Sequence, residues 1–330
     1  MGAFAEIIGN EQVKDYLKNA LAAGTVSHSY ILSGEDGVGK GLFAEEFAKI
    51  LQCTGFGEKP CGCCHACIQA DSHNHPDIIY VQHEKPGTIG VDDIRRGLVN
   101  HIQIRPYAGP YKIYIIDEAE KLSIQAQNAM LKTIEEPPAY GIILLLTSNL
   151  STFLPTIRSR CVELNVRPVT DVQEESYLRA QGVPEEKIDS IIRFTRGNLG
   201  KALKMADSEE FMEMIQKLQA VLKQVHAMNM DQLIQTVSML SCYQAEIKDC
   251  LDFIEQWYRD ILLFKATKDM NMLIFQEEGF ELKRAVARIS YEGIERILQA
   301  IQTARRRLDA NVNFDLTMQL LLETMRESES

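Results

Sequence analysis

The sequence lacks any apolar run long enough to cross a bilayer. Its most hydrophobic stretch, residues 142–146, falls far short of the roughly 20 residues a span requires. No positively charged amino terminus leads into an apolar segment, so no secretory leader is expected and the sequence reads as cytoplasmic, without membrane contact. An excess of positive charge is also missing. With 35 Lys and Arg against 46 Asp and Glu, and a formal net charge of -11, a broad basic surface for nucleic acid is excluded; any DNA contact has to be local or shared. What is present is apolar material, 45% of 330 residues, enough for the cores of two or three domains.

Cysteine is not spread as a disulfide framework would need. Of eight, Cys161, Cys242 and Cys250 stand apart in apolar or helical surroundings, whereas Cys61, Cys63, Cys64 and Cys67 crowd together after Cys53. In Cys53-x7-Cys61-x2-Cys64-x2-Cys67, two short CxxC steps can bend around a tetrahedral Zn2+, and Cys53 closes the shell from the preceding helix. Four thiolates leave no vacant position for a reacting water, so the metal reads as structural, giving folding free energy to a polar insertion over 53–75. Cys63 competes as a ligand, as do His65, His73 and His75, whose ordinary roles are turn hydrogen bonds and surface packing. A reduced, metal-free cluster is the plain alternative.

Apolar residues at helical spacing over 12–23 end at Gly24; a short strand over 28–32 then feeds a glycine-rich turn, and a helix over 41–51 follows. Further strands are expected over 77–82, 111–117, 141–147 and 162–166, with helices over 91–99 and 123–135 between them. That alternation implies a mostly parallel sheet covered on both faces. Short helical patterns over 169–206, broken at Gly182-Val183-Pro184 and Gly197-Asn198, read as a small helical domain. Spacings of three and four over 209–226, 230–241, 245–267 and 291–326 read as a helical core or an assembly surface. The expected fold class is therefore α/β plus all-α.

Gly34-Glu35-Asp36-Gly37-Val38-Gly39-Lys40 has the spacing of a phosphate loop, in which small residues allow a tight turn, backbone donors face phosphate, and the lysine reaches the outer phosphates. The next position normally offers a hydroxyl to Mg2+, and Gly41 has none. A glycine turn kept for packing is the ordinary alternative. Asp117 and Glu118 end an apolar strand, where such acids hold Mg2+ and polarise water, or simply terminate the strand and cap the next helix. Thr147-Ser148-Asn149 offers polar groups toward a terminal phosphate or closes a turn. In Arg158-Ser159-Arg160-Cys161, a fixed guanidinium offers paired donors to a neighbouring subunit's phosphate or to an ordinary acidic partner.

Taken together, Val26-Ser27-His28-Ser29-Tyr30, the loop from Gly34 to Lys40, the cysteine insertion, Asp117-Glu118-Ala119-Glu120, the run from Asn128 to Pro137 and Ser159-Arg160-Cys161 resemble the AAA+ clamp-loader family of bacterial DNA polymerase III, in particular its delta-prime class. The motifs cover the first half of the chain, and the helical remainder agrees more loosely. The resemblance implies an AAA+ α/β domain over 1–167 with a zinc knuckle in the insertion 53–75, a helical lid over 168–207 and a helical oligomerisation collar over 208–330. It implies that Arg160 acts in trans on the nucleotide of an adjacent motor subunit. ATP and Mg2+ are then held by neighbouring subunits, and the partners are the motor subunits, the delta subunit and, through the assembled complex, a sliding clamp and primed DNA. Active relatives carry Ser or Thr after the lysine and a lid arginine in a Gly-x-x-Arg-type motif. This chain has Gly41 and Gly200 there, with Lys201 displaced by one helical residue. Loss of hydrolysis with retention of Arg160, leaving Asp117 and Glu118 vestigial, is the coherent expectation. Its rivals are a self-contained weak ATPase of the motor-subunit type, resting on Lys40, Asp117 and Glu118, and a zinc-containing assembly scaffold.

Overall fold

The computed structural model describes residues 2–85 and 87–328, so positions 1 and 330, the outer limits of the first and last expected domains, lie outside the described residues. The chain forms two compact units, one made of 1–182 and 195–202, the other of 183–194 and 203–330.

The first unit runs α1 (Glu11–Ala23), β1 (Ser29–Ser33), α2 (Lys40–Gln52), α3 (His65–Asp71), β2 (Ile78–Tyr80), α4 (Val91–Ile94), β3 (Lys112–Ile116), α5 (Ile124–Glu135), β4 (Gly141–Thr147), α6 (Pro155–Arg158), β5 (Val162–Asn165) and α7 (Asp171–Ala180). The strands form one parallel sheet in the order β2-β3-β4-β1-β5. The three inner strands are buried throughout, which is why their sequences read as continuous apolar runs rather than alternating ones. Alternate side chains still go to opposite faces. Tyr30, Leu32, Leu144 and Leu146 pack with Phe43 and Phe47 of α2, while Ile31, Ile116 and Leu145 pack with Met130 of α5 and Ile157 of α6. Pairing of Ser33 with both Thr147 and Asn165 brings the carboxyl ends of β1, β4 and β5 to one edge, where ligands of open parallel sheets sit.

Local chemistry sets the ends of these elements. Gly24, at φ 65°, closes α1 by donating its N–H to Ala20 and Leu21 carbonyls, and Ser123 caps α5 by accepting from Ala126 N–H. The helix expected over 91–99 is α only to Ile94 and then widens to a π turn over Arg95–Val99. There Gly97 lies so close to Val81 that an added Cβ would sit 2.7 Å from its Cγ1.

The second unit is helical. It takes all but the last residue of α8 (Glu185–Thr195) and the second half of α9 (Leu199–Asp207). It continues with α10 (Glu209–Gln224), α11 (Met230–Ser241), α12 (Ile247–Thr267), α13 (Gly279–Arg288), α14 (Tyr291–Asp309) and α15 (Phe314–Ser328). Helix α12 is central, packing on α10, α13 and α14 and burying Phe253, Trp257, Tyr258 and Ile261, while α15 packs on α14 and α11. Asp260 is buried and accepts the Ile274 and Phe275 N–H groups at 2.7 and 2.9 Å, fixing the return loop. The apolar pattern over 291–326 is two helices. Asn311 turns the chain at φ 55°, and Asn313 Oδ1 accepts from Leu316 N–H at 2.9 Å to start α15. Helix α13 had no counterpart in the sequence pattern. Among the described residues, no helix is long and apolar enough to cross a membrane.

Candidate functional site

The phosphate-type loop leaves β1 with Gly34 N–H donated to Thr147 O at 3.1 Å and turns through Gly37 and Gly39, at φ 89° and 98°, into α2. Lys40 is buried. Its ammonium donates to Gly34 O at 2.7 Å, Glu35 O at 2.9 Å and Asp36 Oδ1 at 3.4 Å, so its hydrogen bonds are spent on the loop itself. The segment 195–202 closes over the same loop. Gly200 N–H donates to Gly37 O at 3.0 Å, and Asn198 Nδ2 donates to Asp36 O at 2.7 Å. An added Cβ on Gly200 would lie 2.7 Å from both Cα and O of Gly37; one on Gly37 would lie 2.5 Å from Asn198 Oδ1. A lid arginine at 200 therefore does not fit in this arrangement. Gly41 is different, because a Cβ there meets nothing within 4 Å: the lost hydroxyl is a chemical absence with room left for it.

What pins this segment was not legible from motifs. Glu174 on α7 is buried and accepts from the Thr195 hydroxyl and, at 2.7 Å, from Gly197 N–H; burial pushes its carboxyl above the ordinary range. Gly197, at φ 84°, approaches Val169 so closely that a Cβ would lie 1.9 Å from its carbonyl oxygen.

Asp117 follows β3 on the same sheet edge, separated from β1 by β4. Its Oδ1 accepts from Glu118 N–H at 2.8 Å. Glu118, in a left-handed turn at φ 48°, is engaged by Lys121 Nζ at 2.6 Å, with His83 Nε2 at 3.7 Å. Ser148 donates its N–H and hydroxyl to Glu120, at 3.1 and 2.8 Å, and Asn149 Oδ1 accepts from Ser151. These polar groups are gathered at the loop's edge of the sheet but are partnered locally, as a strand-to-loop turn requires.

The two arginines at the end of α6 and just beyond it, Arg158 and Arg160, separate clearly. Arg158 is held by Glu163 through two hydrogen bonds, at 2.8 and 3.1 Å. Arg160 is exposed, with Nε 3.1 Å from Glu135 Oε1 and Nη1 donating to Thr156 O and Ser159 Oγ. An exposed pair of this kind contributes at most about 1 kcal/mol, so redirecting the guanidinium to a partner costs little. Cys161 beside it is mostly shielded, and burial pushes its thiol up to about 12. The turn carrying these residues is positioned by buried Gln127, which donates to Leu122 O and Thr152 O and accepts from Leu154 N–H. A glutamine in mid-helix gives no sequence signal for that task.

Cys53, Cys61, Cys64 and Cys67 converge, their Sγ atoms all within 4.8 Å of one another, and form a cluster capable of holding a metal ion. A Zn2+ with ordinary bonds to sulfur requires separations of roughly 3.8 Å, within reach of this cage. Backbone N–H groups of Cys61, Cys64 and Cys67 donate to the sulfurs of Cys53, Cys61 and Cys64, at 3.3, 3.3 and 3.5 Å. Against the burial that opposes it, hydrogen bonding by Cys67 N–H and Thr54 holds the Cys64 thiol at about 5, whereas burial pushes Cys67 up. Gly55 is needed here, since a Cβ would lie 2.5 Å from Cys61 Sγ. The competitors stand outside the cluster: Cys63 and His65 are exposed, His73 Nδ1 bonds Tyr80 OH at 2.9 Å, and His75 Nδ1 accepts from Asp77 N–H.

Two family profiles match the chain. One, described as "DNA polymerase III, delta subunit", covers residues 9–170, and the other, "DNA polymerase III, delta subunit, C terminal", covers residues 212–325. DNA polymerase III subunit tau of Salmonella typhimurium is 35% identical over 62% of this chain and 32% of its own length. Subunit tau of Bacillus subtilis is 27% identical over 98% of this chain and 62% of its own. The match to the first of these thus spans about a third of that relative. A DNA polymerase III gamma subunit-related protein of Thermotoga maritima superposes at a TM-score of 0.48 with 19% identity, covering 95% of this chain and 99% of that one. The two profiles between them cover most of the chain, and it belongs to the AAA+ clamp-loader family that unites the delta, delta-prime and tau/gamma subunits of DNA polymerase III.

Proposed function

We propose that this chain is a delta-prime-type subunit of a clamp-loading assembly, turning over no nucleotide itself and presenting Arg160 to ATP bound with Mg2+ on a neighbouring motor subunit. The observation carrying this reading is the closure of Gly200 onto Gly37 beside a loop whose Gly41 offers Mg2+ no ligand. Arg160 supports it as an exposed guanidinium on a turn braced by buried Gln127. Through the assembled complex, with motor and delta subunits, the chain would serve deposition of a sliding clamp on primed DNA. The divisions 1–167, 168–207 and 208–330, read as AAA+ domain, lid and collar, belong to this proposal, as does structural Zn2+ on Cys53, Cys61, Cys64 and Cys67.

A second reading is a self-contained weak ATPase of the motor-subunit type. The two relatives named above favour it, since both are tau subunits, and Lys40, Asp117 and Glu118 are all present. ATP hydrolysis by the purified chain, alone and then with equimolar motor subunit, clamp and primed DNA, separates the two. Silence alone with Arg160-dependent stimulation in the mixture supports the first reading; Lys40-dependent turnover by the chain alone replaces it with the second. Assembly with partner ATPase indifferent to Arg160 leaves a zinc-containing scaffold.

A further inference from the structure

The second unit carries a half-open cavity of about 270 Å³ that the proposed function does not use. Its apolar side is aromatic: ring centroids of Phe194 and Phe253 lie 5.5 Å apart, and those of Phe253 and Phe275 lie 5.1 Å apart, with buried Met205 and Ile215 alongside. Of the charged groups lining it, Glu278 is already neutralised by Lys223 at 2.7 Å and held by Gln219 at 2.7 Å. Glu277 is exposed, where water and salt blunt its charge. Arg193 is the exception. It lines the cavity half-buried, with no hydrogen bond or ion pair among the described residues.

A partly desolvated guanidinium without a partner is costly, and an anion that pairs with its planar fork relieves that cost. Size narrows the class. An apolar cavity of about 150 Å³ holds one benzene ring, so this one takes a two-ring body but no helix or folded segment. We propose that the cavity is a binding site for a small aromatic carboxylate, its rings lodged among Phe194, Phe253 and Phe275 and its carboxylate on Arg193.

The test is calorimetric titration of the full chain with 2-naphthoate, with 2-naphthylmethylamine as the cationic isostere. Saturable binding of the acid is expected, with the amine at least about tenfold weaker, and Arg193→Met reducing affinity for the acid at least about tenfold. Ile215→Trp, which fills the cavity, abolishes binding if its circular-dichroism melt stays cooperative; should it fail to fold, Arg193→Met and the amine still decide. No saturation by millimolar acid, equal affinity for acid and amine, or indifference to Arg193→Met would each overturn the assignment.

Discussion

Alanine placed at two glycines of one nucleotide-type site is expected to act with opposite sign. At Gly200 the new Cβ would lie 2.7 Å from backbone atoms of Gly37, which cannot retreat as a flexible side chain would. Such overpacking costs roughly 1–3 kcal/mol. Pushing the segment off the loop also breaks the Gly200–Gly37 and Asn198–Asp36 hydrogen bonds, about 1 kcal/mol each. Alanine's better helix propensity returns at most about 1 kcal/mol. The balance is a local loss of about 2 to 4 kcal/mol, or roughly a 30- to 900-fold fall in amide protection across 36–40 and 198–202. At Gly41 the Cβ meets nothing within 4 Å, so the same substitution in the first turn of α2 gains about 0.5 kcal/mol. Native-state hydrogen exchange reads both, and is preferable to a single melting temperature in a chain of two units. Equal responses at the two positions, or unchanged protection in Gly200→Ala, would refute the idea that this segment is stapled to the loop.

Other outcomes follow from the same geometry. Burial raises the Glu174 carboxyl, so the folded state binds its proton more tightly than the unfolded state and the contribution of Glu174 is full below the ordinary value of 4.5 and lost as pH rises through the raised one. Protection at 195–200 should therefore fall over that window in the parent and stay flat in Glu174→Gln; an unchanged pH profile in the variant contradicts the assignment. With zinc bound, a thiol reagent should modify exposed Cys63 and Cys242 first and reach Cys53, Cys61, Cys64 and Cys67 only after chelation, with about one metal released per chain. Release of no metal from freshly purified protein would end the zinc reading. In a reconstituted assembly, Arg160→Ala should lower partner ATPase by at least about a hundredfold while subunits still co-elute; full ATPase in the variant removes Arg160 from the mechanism.

The sheet could be read from sequence because its signals are local. The apolar run of β4 and the strand-turn-helix around Gly34 to Lys40 each declare themselves within a dozen residues, as do the cysteine steps from Cys61 to Cys67. What stayed hidden depends on partners far along the chain. Asn198 bonds Asp36 across a sequence separation of 162, and nothing near either residue announces it. Gln127 looks like a surface glutamine until Thr152 and Leu154 come to it, and the missing lid arginine at Gly200 looks like a simple loss until Gly37 fills its place. The continuous periodicity over 291–326 concealed a break because both helices keep an apolar face; only Asn311 and Asn313 mark the join.

The first unit is discontinuous along the chain, since 195–202 returns to it after 183–194 have joined the second. During synthesis, all five strands have emerged by Asn165, yet the carbonyls of Asp36 and Gly37 and the carboxylate of Glu174 wait for donors that arrive only with 195–200. A fragment cut at 182, where the first stretch of this unit ends, would leave that carboxylate without its donors and the loop uncovered. A workable truncation has to run past 202, and vectorial folding of the first unit ends only when the chain has already begun the second.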